Sequence, residues 1–205
     1  MKKILIPLVL ILSVLLSACA VKIEDEAGFL AEVGTLIESS YEVNRIFFGE
    51  GLAFTDPDGL SAEEIVAQSN DTIGVKVIYR AVSEDEPYKS KEDVMTLARS
   101  VYSTDYADYL EKAGFDGVVD DRDNVVMYAR YIEDFEAGLT INIKSVTDAM
   151  KLERTYDTAT LEIKRKGRNY VVVTVDAYDN GAFAEKKDLK ILRERDGWRI
   201  DWPTY

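Results

Sequence analysis

The 205-residue sequence predicts an α+β fold, with N-terminal helices packed on a curved antiparallel sheet. Apolar residues recur near helical spacing from residue 27 onward. Beyond Asp123-Asn124 the pattern changes to six short runs rich in alternating or β-branched residues, which read as strands. Turn signals at Lys166-Gly167-Arg168 and Asp196-Gly197 join neighbouring runs as hairpins, so the sheet is antiparallel.

A leader precedes the fold. Met1-Lys2-Lys3 is basic, Ile4 to Leu16 is almost continuously apolar, and small residues follow. That order is a secretory signal peptide, and the apolar run is shorter than the ~20 residues that span a bilayer. Leu16-Ser17-Ala18-Cys19 resembles the lipobox of bacterial lipoproteins. The resemblance implies cleavage after residue 18 and a diacylglyceryl thioether on Cys19, the sole cysteine. It implies an extracytoplasmic protein anchored to the cell membrane by two acyl chains, enough for stable attachment. Residues 19–26 are then the lipidated cysteine and a short tether, and 27–205 a single α+β domain. Seven tether residues, Ala20 to Glu26, reach at most ~25 Å, so the domain lies close to its membrane.

Removal of residues 1–18 leaves enough chain to bury a core, held by packing because no second cysteine exists. The net charge is −13. An acidic balance argues against nucleic acid, and equally against docking of the protein surface on anionic lipid. There is no histidine. Serine or cysteine nucleophile systems that depend on histidine are excluded, as are the usual zinc sites. No cofactor is expected. A carboxylate-only catalyst stays open, since glycoside hydrolysis needs only two acids.

The elements follow in order. Ala27 to Phe48 is a long amphipathic helix with Leu30, Val33, Ile37 and Tyr41 on its apolar side, stopped by Gly49 and Gly51. Asp56-Pro57-Asp58-Gly59 is a turn. Ser61 and Glu64 form a capping box that opens a short helix to about Ser69. Gly74 to Val82 alternates as a strand. Ser90 caps a helix from Lys91 to Tyr102, and a second short helix runs to about Lys112, ended by Gly114 and Gly117. Strands are expected at Val125–Ile132, Leu139–Ser145, Thr158–Lys166, Tyr170–Tyr178, Lys187–Arg195 and Trp198–Trp202. In the last strand Trp198, Ile200 and Trp202 face one way. Asp148 to Leu152 is ambiguous.

The helix Ala27–Phe48, the hairpin Leu161–Val175 and the strand Gly197-Trp198-Arg199-Ile200-Asp201 together resemble the NTF2-like (cystatin-like) α+β group. The resemblance implies a cone-shaped pocket between helix and sheet, in a group that contains both enzymes and binding modules. Enzymes of the group often use an Asp-His pair, which this histidine-free chain lacks.

Four sets of side chains are candidate sites. Tyr102, Tyr106 and Tyr109 at i, i+4 and i+7, with Tyr128 and Tyr131 on a strand, suit either a pocket lining or ordinary helix-on-sheet packing, because tyrosine joins apolar area to a hydroxyl. Asp116, Asp120, Asp121, Asp123 and Asn124 are an oxygen-rich cluster, either a weak calcium candidate or a solvated turn; the spacing departs from an EF-hand loop. Trp198 and Trp202 read as core, with Trp202 beside Pro203 partly exposed. Lys164, Arg165, Lys166 and Arg168 are a basic hairpin tip, either solvated or facing an anionic partner such as a wall polymer. The expectation is a non-catalytic module for an envelope protein or small ligand. A two-carboxylate enzyme on an envelope polymer and an inhibitor or assembly factor of an envelope enzyme are the alternatives.

Overall fold

The protein is seen in a computed structural model that describes residues 20–69, 78–119, 122, 125–149 and 153–205. The leader with Cys19, the start of the Gly74–Val82 strand, Asp120, Asp121, Asp123, Asn124 and residues 150–152 lie outside the described residues. In chain order the elements are α1 (Glu26–Phe47), α2 (Ala62–Ser69), β1 (Tyr79–Ala81), α3 (Lys91–Val101), α4 (Thr104–Glu111), a π-turn (Lys112–Asp116), β2 (Val118–Val119), β3 (Val125–Met127), β4 (Tyr131–Asp134), β5 (Gly138–Asn142), α5 (Ile143–Thr147), β6 (Arg154–Lys166), β7 (Tyr170–Asp179), β8 (Ala182–Glu194) and β9 (Gly197–Ile200). Helices and antiparallel sheets together make the α+β class that the sequence predicts. Among the described residues no helix is long and apolar enough to cross a membrane.

The residues group into two compact units. The first holds the chain up to Ile37 together with Arg154–Pro203; the second holds Glu38–Glu153 with Thr204 and Tyr205.

In the first unit the opening turns of α1 bury Phe29, Val33, Leu36 and Ile37. The sheet is an antiparallel meander in the order β6-β7-β8-β9. Strand β7 alternates as its sequence requires: Val171, Val173, Val175 and Ala177 are fully buried, and the residues between them are half-exposed. Val173 pairs with Leu189 and Ile191 with Ile200, so the apolar sets of neighbouring strands stack. Phe29 meets Trp198 edge-on at 4.9 Å between ring centroids. The outward residues are laced by Lys164–Asp188 at 2.6 Å and Lys186–Asp176 at 2.7 Å.

Strand β8 begins five residues earlier than the sequence pattern indicates. The turn responsible is Asn180-Gly181, where both residues have positive φ, 50° and 80°. Asn-Gly is the pair that a tight type I′ hairpin favours, so this signal was present in the sequence. Trp202 leaves the last strand, which ends at Ile200, and is half exposed.

The second unit carries a three-stranded sheet in the order β1-β5-β4 and a two-stranded β2-β3 pair. Its helix starts are set by the predicted caps. The Ser61 hydroxyl accepts from Glu64 N while Glu64 accepts from Ser61 N at 2.8 Å. Ser90 and Asp93 repeat the box at α3. Two expected strands are corrected. The Val125–Ile132 run is broken into β3 and β4, in different sheets, because Arg130 turns inward and its guanidinium binds backbone carbonyls. The Leu139–Ser145 run ends at Asn142, whose side chain accepts from Lys144 N and caps α5. Likewise α3 stops at Val101: Tyr102 is extended, and the Ser103 hydroxyl accepts from Tyr106 N to start α4.

Candidate functional site

The second unit gathers its polar side chains around the C-terminal end of α1. Helix ends leave carbonyls without intrahelical partners. Arg130, 8% exposed, donates Nε to Ile46 O at 2.8 Å, Nη1 to Ser145 O at 2.9 Å, and Nη2 to Gly49 O. The Tyr131 hydroxyl donates to the same Ile46 O at 2.7 Å and accepts from Leu52 N at 3.1 Å. Gly51 is held at φ 81°, and a side chain there would strike Ile141 Cδ1 at 2.5 Å. Arg45 donates to Gly51 O and to both oxygens of Glu42. Tyr131 is therefore a structural bolt with a saturated hydroxyl, and burial pushes its pKa up.

The other predicted tyrosines separate by role. Tyr102, Tyr106 and Tyr109 form a ladder, with ring centroids 4.8 Å and 5.7 Å apart. Tyr102 is 1% exposed and Tyr109 is 53% exposed, so the ladder runs from core to surface. The inner rung is fixed by a buried network. The Tyr102 hydroxyl donates to Asn44 Oδ1 at 2.9 Å and lies 2.6 Å from Thr204 Oγ1. Asn44 Nδ2 donates to Thr204 Oγ1 at 2.8 Å, and that hydroxyl donates to Ser40 Oγ at 2.8 Å. The middle rung differs: the Tyr106 hydroxyl is shut from water and has the Tyr205 side chain as its polar neighbour. Its pKa is driven far up by burial, with neighbouring Tyr205 and Tyr102 adding to the rise. Tyr205 in turn stacks on Phe48 at 3.9 Å. Tyr128, 46% exposed, stands apart beside Tyr79, whose pKa is raised by burial and then by Tyr128. Three of the five tyrosines thus make a surface-to-core ladder, and sequence reasoning missed Asn44, Ser40, Thr204, Phe48 and Tyr205, which are remote in the chain.

The acidic cluster reduces to Asp116, which is exposed; its other members are outside the described residues. Among the described residues no group of three or more acids or thiols stands where a metal ion would be held. Among the described residues the carboxylates with displaced pKa values are held down. Arg45 lowers Glu42, Arg80 lowers Asp56, Lys91 lowers Glu111, Arg154 lowers Asp179 and Lys164 lowers Asp188, each mainly through a direct hydrogen bond. The basic hairpin tip is partly neutralised, with Lys164 on Asp188 and Lys166 on Glu26. Comparison of the chain with known protein families, curated proteins and solved structures gives no match.

Proposed function

We propose that this protein is a lipid-anchored, extracytoplasmic binding module. Its body follows the NTF2-like (cystatin-like) plan, and a ligand or partner engages the outer rungs of the tyrosine ladder. The observation that carries the proposal is the outer rung. Tyr109, 53% exposed, presents its ring beside the inner ring of Tyr106, with centroids 5.7 Å apart. An exposed tyrosine backed by packed rings offers a ligand apolar area and a hydroxyl at little cost in ordering. The NTF2-like reading is supported by the helix and meander of the first unit and by Trp198 buried on the closing strand. The lipid anchor rests on Leu16-Ser17-Ala18-Cys19 alone.

The test is a thermal-shift titration of the full chain with soluble wall-glycan fragments and with peptides from the same polymer. A ligand at a hundredfold excess over Kd stabilises by ~2.7 kcal/mol. The expected result is a shift that Tyr109→Ala abolishes, with no fragment cleaved over the same period. No shift with any fragment, or an equal shift in Tyr109→Ala, refutes the site. Chain-length products on chromatography would restore the hydrolase reading. Labelled palmitate on the wild type but not on Cys19→Ala tests the anchor.

A further inference from the structure

The net charge of −13 conceals a strong segregation in the first unit. The β6–β7 and β8–β9 hairpins end side by side: Arg193 N donates to Asn169 O at 2.7 Å, and Tyr170 pairs with Leu192. The two tips, residues 164–170 and 193–199, hold seven lysines and arginines against two acids. Lys164, Lys166 and Arg199 are paired with Asp188, Glu26 and Asp196. Arg165, Arg168, Arg193 and Arg195 are exposed and make no ion pair among the described residues. Arg165 and Arg193 lie over the rings of Tyr170 and Trp198, which hold them in place while the charge stays open.

The chain's own path says what this end faces. Val21 N donates to Gly167 O at 2.7 Å, at the β6–β7 tip itself. Only Ala20 separates Val21 from Cys19, at most ~7 Å of chain. We infer that this basic end is the membrane-facing surface of the first unit and docks on the headgroups of anionic phospholipids. The inference rests on the lipid-anchor reading of Cys19. It sets aside the expectation, drawn from net charge alone, that the surface avoids anionic lipid. Acyl chains supply attachment without orientation; four open guanidiniums beside the attachment point supply the orientation. Each basic residue near such a surface favours docking about fivefold. The β7–β8 hairpin, with exposed Phe183, is then carried ~30 Å from the bilayer at the other end of the strands.

The test uses the full chain, processed in its host and reconstituted in vesicles that contain a headgroup-attached fluorescence quencher. A fluorophore is placed at Asn169→Cys, or at Ala184→Cys on the opposite hairpin as the control. Mass spectrometry reads the state of Cys19 in the same sample. The expected result is quenching at position 169 but not at 184 on vesicles with about 30% phosphatidylglycerol. Salt at about 0.5 M should relieve it. Arg168→Gln with Arg195→Gln should lower the docked-to-undocked ratio about 25-fold. Equal quenching on neutral vesicles means that the anchor alone sets the distance, and overturns the docking surface. Absence of quenching does the same, as does release by soluble poly(glycerol phosphate) at equal phosphate, which would move the surface to a wall polymer. In those cases a lipidated Cys19 leaves the anchor standing; an unmodified Cys19 overturns the anchor and the docking inference together.

Discussion

Replacement of Arg130 by methionine tests whether the end of α1 is held by one side chain. Arg130 is 8% exposed, and its guanidinium is held by three backbone carbonyls, with no carboxylate paired to it among the described residues. Its countercharge is the negative end of the α1 dipole, presented through Ile46 O, with Gly49 O and Ser145 O completing the cradle. A hydrogen bond from a charged donor contributes ~1.5–3 kcal/mol, so three amount to about 5–9 kcal/mol gross. Burial of the guanidinium offsets several kcal/mol of that. Methionine fills the stem but leaves three carbonyls unpaired, and the net loss should be about 2–4 kcal/mol. For a chain of this length that lowers Tm by about 5–15 °C. Arg130→Lys keeps the charge but supplies one donor at a time, and should recover no more than half. Urea unfolding gives the magnitude. Hydrogen exchange at Phe48, Gly49 and Gly51, whose amides bond to Asn44 O and Arg45 O, gives the location. A loss below about 0.5 kcal/mol in Arg130→Met, or full recovery in Arg130→Lys, would show that the three carbonyls are satisfied without the fork.

Further outcomes concern packing, the buried network and pH. A methyl group on Gly34 would sit 3.6 Å from Thr158 Cβ, an ordinary contact, so Gly34→Ala should stabilise by about 0.5–1 kcal/mol in a urea melt. Gly114→Ala should do the opposite by about 1–3 kcal/mol, because the same methyl would lie 2.7 Å from Phe47 Cε1; equal effects at the two positions would refute this packing. Tyr102→Phe and Thr204→Val should each cost about 1–2 kcal/mol, and a double-mutant cycle should return coupling of at least 0.5 kcal/mol, since both hydroxyls belong to one network. Asp179, Asp188, Glu111 and Glu42 have folded pKa values below their unfolded ones. Their stabilisation is present above an unfolded pKa near ~4 and is lost as pH falls through the lower folded values. With no histidine to titrate, the urea midpoint should be flat from about pH 5.5 to 8 and drop below about pH 4; a trend across the neutral range would contradict this assignment.

Local chemistry was legible in the sequence because it depends on neighbours in the chain. The capping box at Ser61, the cap at Ser90, the period-2 burial of β7 and the α+β order all follow from spacing alone. So did the long α1, which ends within one residue of its expected limit. Alternation fails where a long-range partner overrides it. Val125–Ile132 reads as one strand until Arg130 finds carbonyls more than eighty residues earlier. Tyrosine spacing gave the ladder Tyr102-Tyr106-Tyr109, since i, i+4 and i+7 share a helix face. It could not separate Tyr131, whose hydroxyl is held by Ile46 O and Leu52 N, from Tyr106, whose buried hydroxyl faces Tyr205. That difference lies in who stands opposite, a property of the fold. Net charge likewise counts side chains without placing them. Only the pairing of the two hairpin tips with each other, and of Val21 with Gly167, brings four open arginines to the end of the first unit where the chain enters it. Coulomb forces depend on distance, and distance between remote residues is what the tertiary structure adds.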